Sequence, residues 1–217
     1  MNRMLRDFEF ETIGRVRIGE MSAASLQRLS TREYWRRVWP AGLGLAAYII
    51  RRFGEAGLRG YRVLDLGCGV GLIGIVCGQL GARVTFLDRE RRALAAVRRN
   101  CRLNGLGKAQ TIVGDWNHGG QRLRRAAYDM VVGGDVVYDE LQWTAICSAL
   151  TRALRADGIA LLADPGWVEK SKMRATFRQR GFAVSKKQWG VRWPPWQVTG
   201  QRRKGIDIYR LRGNGVR

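Results

Sequence analysis

Histidine is nearly absent from this chain: His118 is the single one among 217 residues. Ser-His or Cys-His nucleophilic catalysis would have to rest on that residue, and no Gly-x-Ser-x-Gly elbow accompanies it. The four cysteines, Cys68, Cys77, Cys101 and Cys147, form no Cys-x-x-Cys pair. A zinc site needs about four clustered N or S ligands, so no metal is expected. Long apolar runs are missing as well, and nothing approaches the ~20 residues that cross a bilayer. Residues 1–10 contain Arg3, Arg6, Asp7 and Glu9, which interrupt the apolar core that a secretory signal requires. The expectation is a monomeric cytoplasmic protein with reduced thiols and no membrane partner.

Acidic residues are the scarce charge. There are 18 Asp+Glu against 39 Lys+Arg, a net charge of +21. An excess of that size attracts nucleic acid or acidic protein surfaces. The basic residues are scattered, however, from Arg36-Arg37 through Arg122 to Lys204. Charge alone does not choose a function.

What is abundant is glycine, with 28 residues, beside 46% apolar residues. That suits an α/β protein with many tight strand–helix turns. The length fits one domain, or one domain with a modest extension, and is enough to bury a single core. Alternation around Gly14 predicts a short β-hairpin from residues 8–11 and 15–18. Residues 25–37 are polar and partly helical. Pro40 opens an apolar helix to about Phe53, where proline's missing N–H costs nothing at a first turn. Residues 1–55 thus form an extension of hairpin plus helices, and residues 56–217 the core.

In the core, strands are predicted at 62–66, 83–88, 110–113, 129–133 and 158–163. Helices are predicted at 72–80, 90–104, about 140–154 and 170–180, and two last strands at 182–187 and 206–211. Strands alternating with helices of this length make right-handed βαβ units and a parallel sheet. Ligands on such sheets sit beyond the carboxyl ends of the strands.

There the chain reads Asp65-Leu66-Gly67-Cys68-Gly69-Val70-Gly71. Glycines allow a tight turn and a close ligand approach. Gly69-x-Gly71-x-x-Gly74 literally matches a dinucleotide fingerprint, but its register is wrong: the strand ends at Leu66, and Gly74 falls inside the next helix. Asp65 would also set a negative charge near a pyrophosphate. The same charge suits S-adenosylmethionine (SAM), which carries an ammonium, a sulfonium and no phosphate. Asp88 ends the second strand, 21 residues after Gly67, where a carboxylate accepts ribose hydroxyls. Asp65, Asp88, Asp115, Asp135 and Asp164 each fall at or just after the end of a predicted parallel strand. The expectation is a ligand face rich in carboxylates; the alternative is ordinary aspartate use in turns.

These segments, with Val38-Trp39-Pro40-Ala41, Asp115-Trp116 and Gly133-Gly134-Asp135-Val136-Val137-Tyr138, resemble the class I, seven-β-strand protein-lysine methyltransferases. The likeness runs from about Trp39 to Leu211. Ala163-Asp164-Pro165-Gly166 and Tyr138-Asp139-Glu140 look most like the branch acting on the electron-transfer-flavoprotein β subunit; Trp167 and the basic carboxyl-terminal part depart from it. The resemblance implies a Rossmann-like fold with a seven-stranded, mostly parallel sheet, and SAM as methyl donor. It places Gly67, Cys68 and Gly69 at the donor's methionine part, Asp88 at its ribose and Trp116 on its adenine, with Asp115 near the adenine amino group. Trp39 would close the pocket and Gly134 would contribute backbone, while Asp135 and Tyr138 would hold the substrate amine. For the two tryptophans core packing is the competing reading, and for Asp135 it is a helix cap.

The partner expected is a protein with a lysine side chain. An RNA or DNA methyltransferase is the rival that the charge favours, and a small-molecule amine methyltransferase is another. Enzymes acting on exocyclic base nitrogens resemble one another in two prolines after the fourth strand, whereas this chain has Asp135-Val136-Val137-Tyr138 there. Trp193-Pro194-Pro195-Trp196 lies between the last two strands. With Trp189 it forms an aromatic loop that suits base stacking, protein contact or a plug on the sheet edge.

Overall fold

A computed structural model describes residues 3–21, 31–118, 120–166, 168–192 and 203–213. Its centre is a seven-stranded sheet of β3 (Arg62–Leu66), β4 (Arg83–Asp88), β5 (Gln110–Val113), β6 (Tyr128–Gly134), β7 (Leu154–Asp164), β8 (Phe182–Arg192) and β9 (Arg203–Gly213). The order across the sheet is β5-β4-β3-β6-β7-β9-β8. All pairs from β5 to β7 are parallel, and β9 is antiparallel to both of its neighbours. The chain starts in the middle at β3, winds outward through β4 and β5, and returns to β6 beside β3. That reversal opens a crevice at the carboxyl ends of β3 and β6. The expected fold class is therefore the observed one.

Helices cover both faces of this sheet, so its inner strands are buried on both sides. In β3, Val63 packs into one apolar cluster with α1 (Pro40–Phe53) and α2 (Leu72–Gln79), while Leu64 packs into the cluster of α4 (Trp143–Ala153) on the other face. Met173 and Phe177 of α5 (Lys170–Gln179) are buried in that second cluster. The α3 helix (Arg91–Leu103) buries Ala93, Leu94, Val97 and Cys101 and exposes most of its arginines. Its apolar stripe at helical spacing directs one face to the sheet.

The amino-terminal hairpin is longer than the alternation suggests, pairing β1 (Arg3–Phe10) with β2 (Gly14–Met21) from Arg3↔Met21 to Phe10↔Gly14. It forms a separate two-stranded sheet. Two asparagines one turn apart at the end of α3 dock it. Asn100 Oδ1 accepts from Gly19 N–H at 3.0 Å, and Asn104 Oδ1 accepts from Arg17 N–H at 2.7 Å. Asn104 Nδ2 in turn donates to Arg17 O at 2.7 Å. These side chains satisfy part of the backbone edge of β2, which would otherwise lie unpaired in a packed interface. Asn100 Nδ2 also donates to Val70 O at 2.8 Å, which joins the hairpin to the glycine loop.

The last two strands are also longer than predicted. Polar residues such as Lys186, Lys187, Gln188 and Lys204 conceal their ends, yet β8 and β9 stay in register from Phe182↔Gly213 to Arg192↔Arg203. Trp189 is partly buried against the first cluster, its ring edge-on to Tyr48 at 5.4 Å, so it packs on the sheet. Trp193 and Trp196 lie outside the described residues, as does Trp167. No helix among the described residues is long and apolar enough to cross a membrane.

Candidate active site

A cavity of about 490 Å³ opens at the carboxyl ends of β3, β4 and β6, the size range of small-molecule sites. Its floor is the turn after β3. Gly67 has φ +66°, and a Cβ there would meet Val136 Cγ1 at 2.9 Å and the Trp116 ring at 3.0 Å. Only glycine gives both the left-handed turn and room for those two side chains. Cys68 lines the cavity, its thiol pushed well above its ordinary pKa by burial and then by the Asp88 and Asp65 charges, which disfavours the thiolate.

Asp88 ends β4 and lines the same cavity. Its Oδ2 accepts from Gly69 N–H and its Oδ1 from Glu90 N–H, both at 2.9 Å. Burial raises its pKa against those two bonds. Each oxygen retains a second lone pair, so the carboxylate fixes the loop and still has acceptor capacity toward the cavity. Trp116 lies in a 3-10 turn, Trp116–His118, after β5 and lines the opposite wall. Its indole N–H donates to Gln142 Oε1 at 2.8 Å, which anchors the ring.

Asp135 follows β6 with φ +57°, a left-handed conformation that aspartate tolerates better than most residues. Its N–H donates to Ala163 O at 2.9 Å, and its Oδ2 accepts from Ala41 N–H at 2.8 Å. The carboxylate therefore caps a helix, but that helix is α1, not the one that follows it in sequence. The N-terminal dipole of α1 favours the charge there. Gly134 makes the approach possible, since a Cβ on it would sit 2.7 Å from Gly42 Cα. Tyr138 lines the mouth, 43% exposed.

The third wall comes from the segment before α1. Trp39 lines the cavity, and its indole N–H donates to Tyr34 O at 2.7 Å. Tyr34, Trp35 and Arg37 line it too, although nothing in the sequence singles them out. They belong to a stretch legible only as polar and partly helical; a 3-10 helix, Thr31–Arg36, carries the first two. Arg37 stacks over the Trp39 ring at 4.4 Å. Desolvation lowers the Arg37 pKa, opposed by the charges of Glu20 and Asp135. Glu20 on β2 ties this wall to the hairpin, accepting from Arg6 Nε and from Val38 N–H, both at 2.9 Å.

Two predicted site residues lie elsewhere. Asp65 is buried beneath the loop and does not line the cavity. Its Oδ2 accepts from Gly74 N–H at 2.9 Å, serving the first turn of α2, whose N-cap Gly71 has no side chain to do so. Burial raises its pKa to about 7, against the Gly74 bond and helped by the Asp88 charge. Asp115 faces a smaller cavity of about 270 Å³ with His118, and its Oδ1 accepts from Asn117 N–H. The expectation of five carboxylates on one ligand face is thus corrected. All five accept a backbone amide, Asp164 from Gly166 N–H, but only Asp88 and Asp135 line the main cavity. Chain reversal at strand ends leaves amides that need acceptors, and aspartate serves them.

The cavity and its residues fit a donor such as SAM: apolar rings, a carboxylate at the end of the second parallel strand, and a glycine turn that a Cβ would fill. The family model described as lysine methyltransferase matches residues 25–173. The zebrafish protein N-lysine methyltransferase METTL21A is 32% identical over 72% of this chain and 75% of its own length. The electron transfer flavoprotein beta subunit lysine methyltransferase of Xenopus laevis is also 32% identical, over 61% of this chain and 52% of its own. Among solved structures, magnesium protoporphyrin IX methyltransferase from Synechocystis with bound SAM superposes with a TM-score of 0.59. It is 18% identical, with 78% of each chain covered, a likeness of fold. With the family model spanning more than half of the sequence, the chain belongs to the lysine methyltransferase family of class I methyltransferases.

Proposed function

We propose that this protein transfers a methyl group from SAM to a lysine side chain of a protein, with Asp135 and Tyr138 at the substrate amine. The observation that carries this reading is the placement of Asp135. It is a carboxylate held rigidly by Ala41 N–H at the junction of the donor cavity, the α1 start and the open mouth.

When bound, SAM supplies a methyl group on a sulfonium leaving group. Gly67, Cys68 and Gly69 form the floor for its methionine part, Asp88 accepts its ribose hydroxyls, and Trp116 and Trp39 pack on its apolar parts. Asp65 and Asp115 act from outside the cavity, shaping the loops that hold it. The lysine nitrogen attacks in line, so orientation and charge placement matter more than acid–base catalysis. A lysine must first give up a proton, against a reference pKa of ~10.4. Asp135 orients the amine by accepting an N–H bond. The fixed guanidinium of Arg37 beside it disfavours the ammonium form, and the aromatic wall removes water. The proton leaves through the mouth beside Tyr138. A cytosolic site of action is supported by the four free, buried cysteines.

The test incubates the purified protein with methyl-labelled SAM and cell extract, then divides the product between protease and nuclease. Label released by protease, mapped to lysine, and absent with Asp135→Asn supports the reading. Label released by nuclease overturns it in favour of a nucleic-acid substrate.

A further inference from the structure

We propose that an arginine-lined cleft at the amino ends of the parallel strands binds single-stranded nucleic acid at a site separate from the methyl-transfer cavity. The cleft has a volume of about 880 Å³ and lies where β3, β6 and β7 begin and where α1 and β9 end. The α1 helix runs from one site to the other. Its 14 residues put its two ends, one at each site, about 20 Å apart.

Five guanidiniums line the cleft, those of Arg52, Arg59, Arg155, Arg210 and Arg212, against the carboxylates of Asp129 and Asp157. Asp129 is already committed, accepting from Arg155 at 2.6 Å and from Arg62 N–H at 2.8 Å. No carboxylate among the described residues lies within ion-pair distance of Arg52, Arg59, Arg210 or Arg212. Like charges gathered in a recess raise one another's energy, and an anion relieves that cost. Guanidinium forks match phosphate oxygens. Arg210 and Arg212 stand on one face of β9, paired with Leu161 and Ile159 of β7. Alternate strand positions are about 7 Å apart, which gives each a different phosphate of an extended chain.

The rest of the lining distinguishes nucleic acid from an acidic peptide. Tyr48, Phe53 and Tyr61 line the cleft among the arginines. Tyr61 is 38% exposed, and Arg52 covers the Phe53 ring at 5.4 Å. Aromatic faces interleaved with cations hold unpaired bases while the cations follow the backbone. Tyr61, the most exposed of the three, is the ring whose removal separates a stacked base from an acidic peptide.

The test measures fluorescence anisotropy of a short labelled oligouridylate over a salt series, with competition by polyglutamate. For the double variant R210Q/R212Q we expect affinity to fall about tenfold or more. The log–log salt slope should flatten by about 0.7 for each phosphate the variant no longer neutralises. The charge-matched R98Q/R102Q on the exposed face of α3 leaves both unchanged. Tyr61→Ala weakens binding at least about fivefold without changing the slope. Methyl transfer and thermal melting stay as in the wild type for all of these variants. Equal losses in the two double variants overturn the proposal in favour of diffuse charge, and no binding by the wild type overturns it outright. Polyglutamate competing as well as the oligonucleotide, with Tyr61→Ala silent, overturns it in favour of an acidic protein surface.

Discussion

At the carboxyl ends of the parallel strands, left-handed glycines and capping aspartates surround a cavity walled by Trp39, Trp116 and Tyr138. At the amino ends of the same strands, arginines crowd a cleft with few acceptors. The backbone explains much of this contrast. Where a strand turns into a helix, amides are left exposed, so aspartates gather and their charge is partly used up internally. Where strands begin, fewer amides need such acceptors; Asp129 serves one, that of Arg62, and four of the cleft's arginines have no carboxylate within ion-pair distance among the described residues. A net charge of +21 therefore does not describe the site of methyl transfer. The arginines of the cleft carry part of it, and the rest is spread over the surface.

The contrast is most severely tested at Asp135. Asp135→Asn keeps the left-handed backbone and the acceptor for Ala41 N–H and removes only the charge. Methyl transfer is expected to fall by about 10²–10³ with SAM binding and cleft affinity intact, as seen by single-turnover kinetics and calorimetry. A rate near that of the wild type would falsify the role given to this carboxylate.

Next in size, Gly67→Ala puts a Cβ against Val136 and Trp116 and is expected to weaken SAM binding roughly 5- to 100-fold, the equivalent of about 1–3 kcal/mol of overpacking. The oligonucleotide titration should not change.

Asn100→Ala leaves Gly19 N–H and Val70 O without their partners. A loss of about 1–3 kcal/mol in chemical denaturation is expected. Looser SAM binding should accompany it, because the glycine loop loses its brace, and the cleft should again be indifferent.

A pH dependence is expected at Asp65. With a folded pKa of about 7 against an ordinary value of 3.8, the native chain keeps a proton that the unfolded chain has released. Stability therefore falls as pH rises through that window and stays lower above it. Asp65→Asn removes this slope, so its melting temperature should gain on the wild type between about pH 5 and pH 8. Parallel curves would show that Asp65 ionises normally in the fold.

Much of the carboxyl end was legible because its determinants are local. The Asp65–Gly71 turn, Asp88 at a strand end and Asp135-Val136-Val137-Tyr138 each announce themselves within a few residues. The Arg37 wall was hidden because Tyr34, Trp35 and Arg37 carry no periodicity, and their position depends on Glu20 holding Val38 N–H from a hairpin far back in the chain. Asp65 and Asp115 looked like ligand groups because a carboxylate at a strand end reads the same whether it faces a cavity or a backbone amide.

The sequence by itself determined the alternation of strands and helices, the turn that only glycine makes at Gly67, and the residues that end β3, β4 and β5. Those features follow from backbone sterics and side-chain periodicity, which act over a few residues. Tertiary structure decided which end of the sheet each charge occupies and which aspartates face the cavity. It also decided that Asp135 caps α1 and not the helix after it. Those outcomes depend on how α1, the hairpin and β9 pack across the sheet, and packing distances have no expression in local sequence.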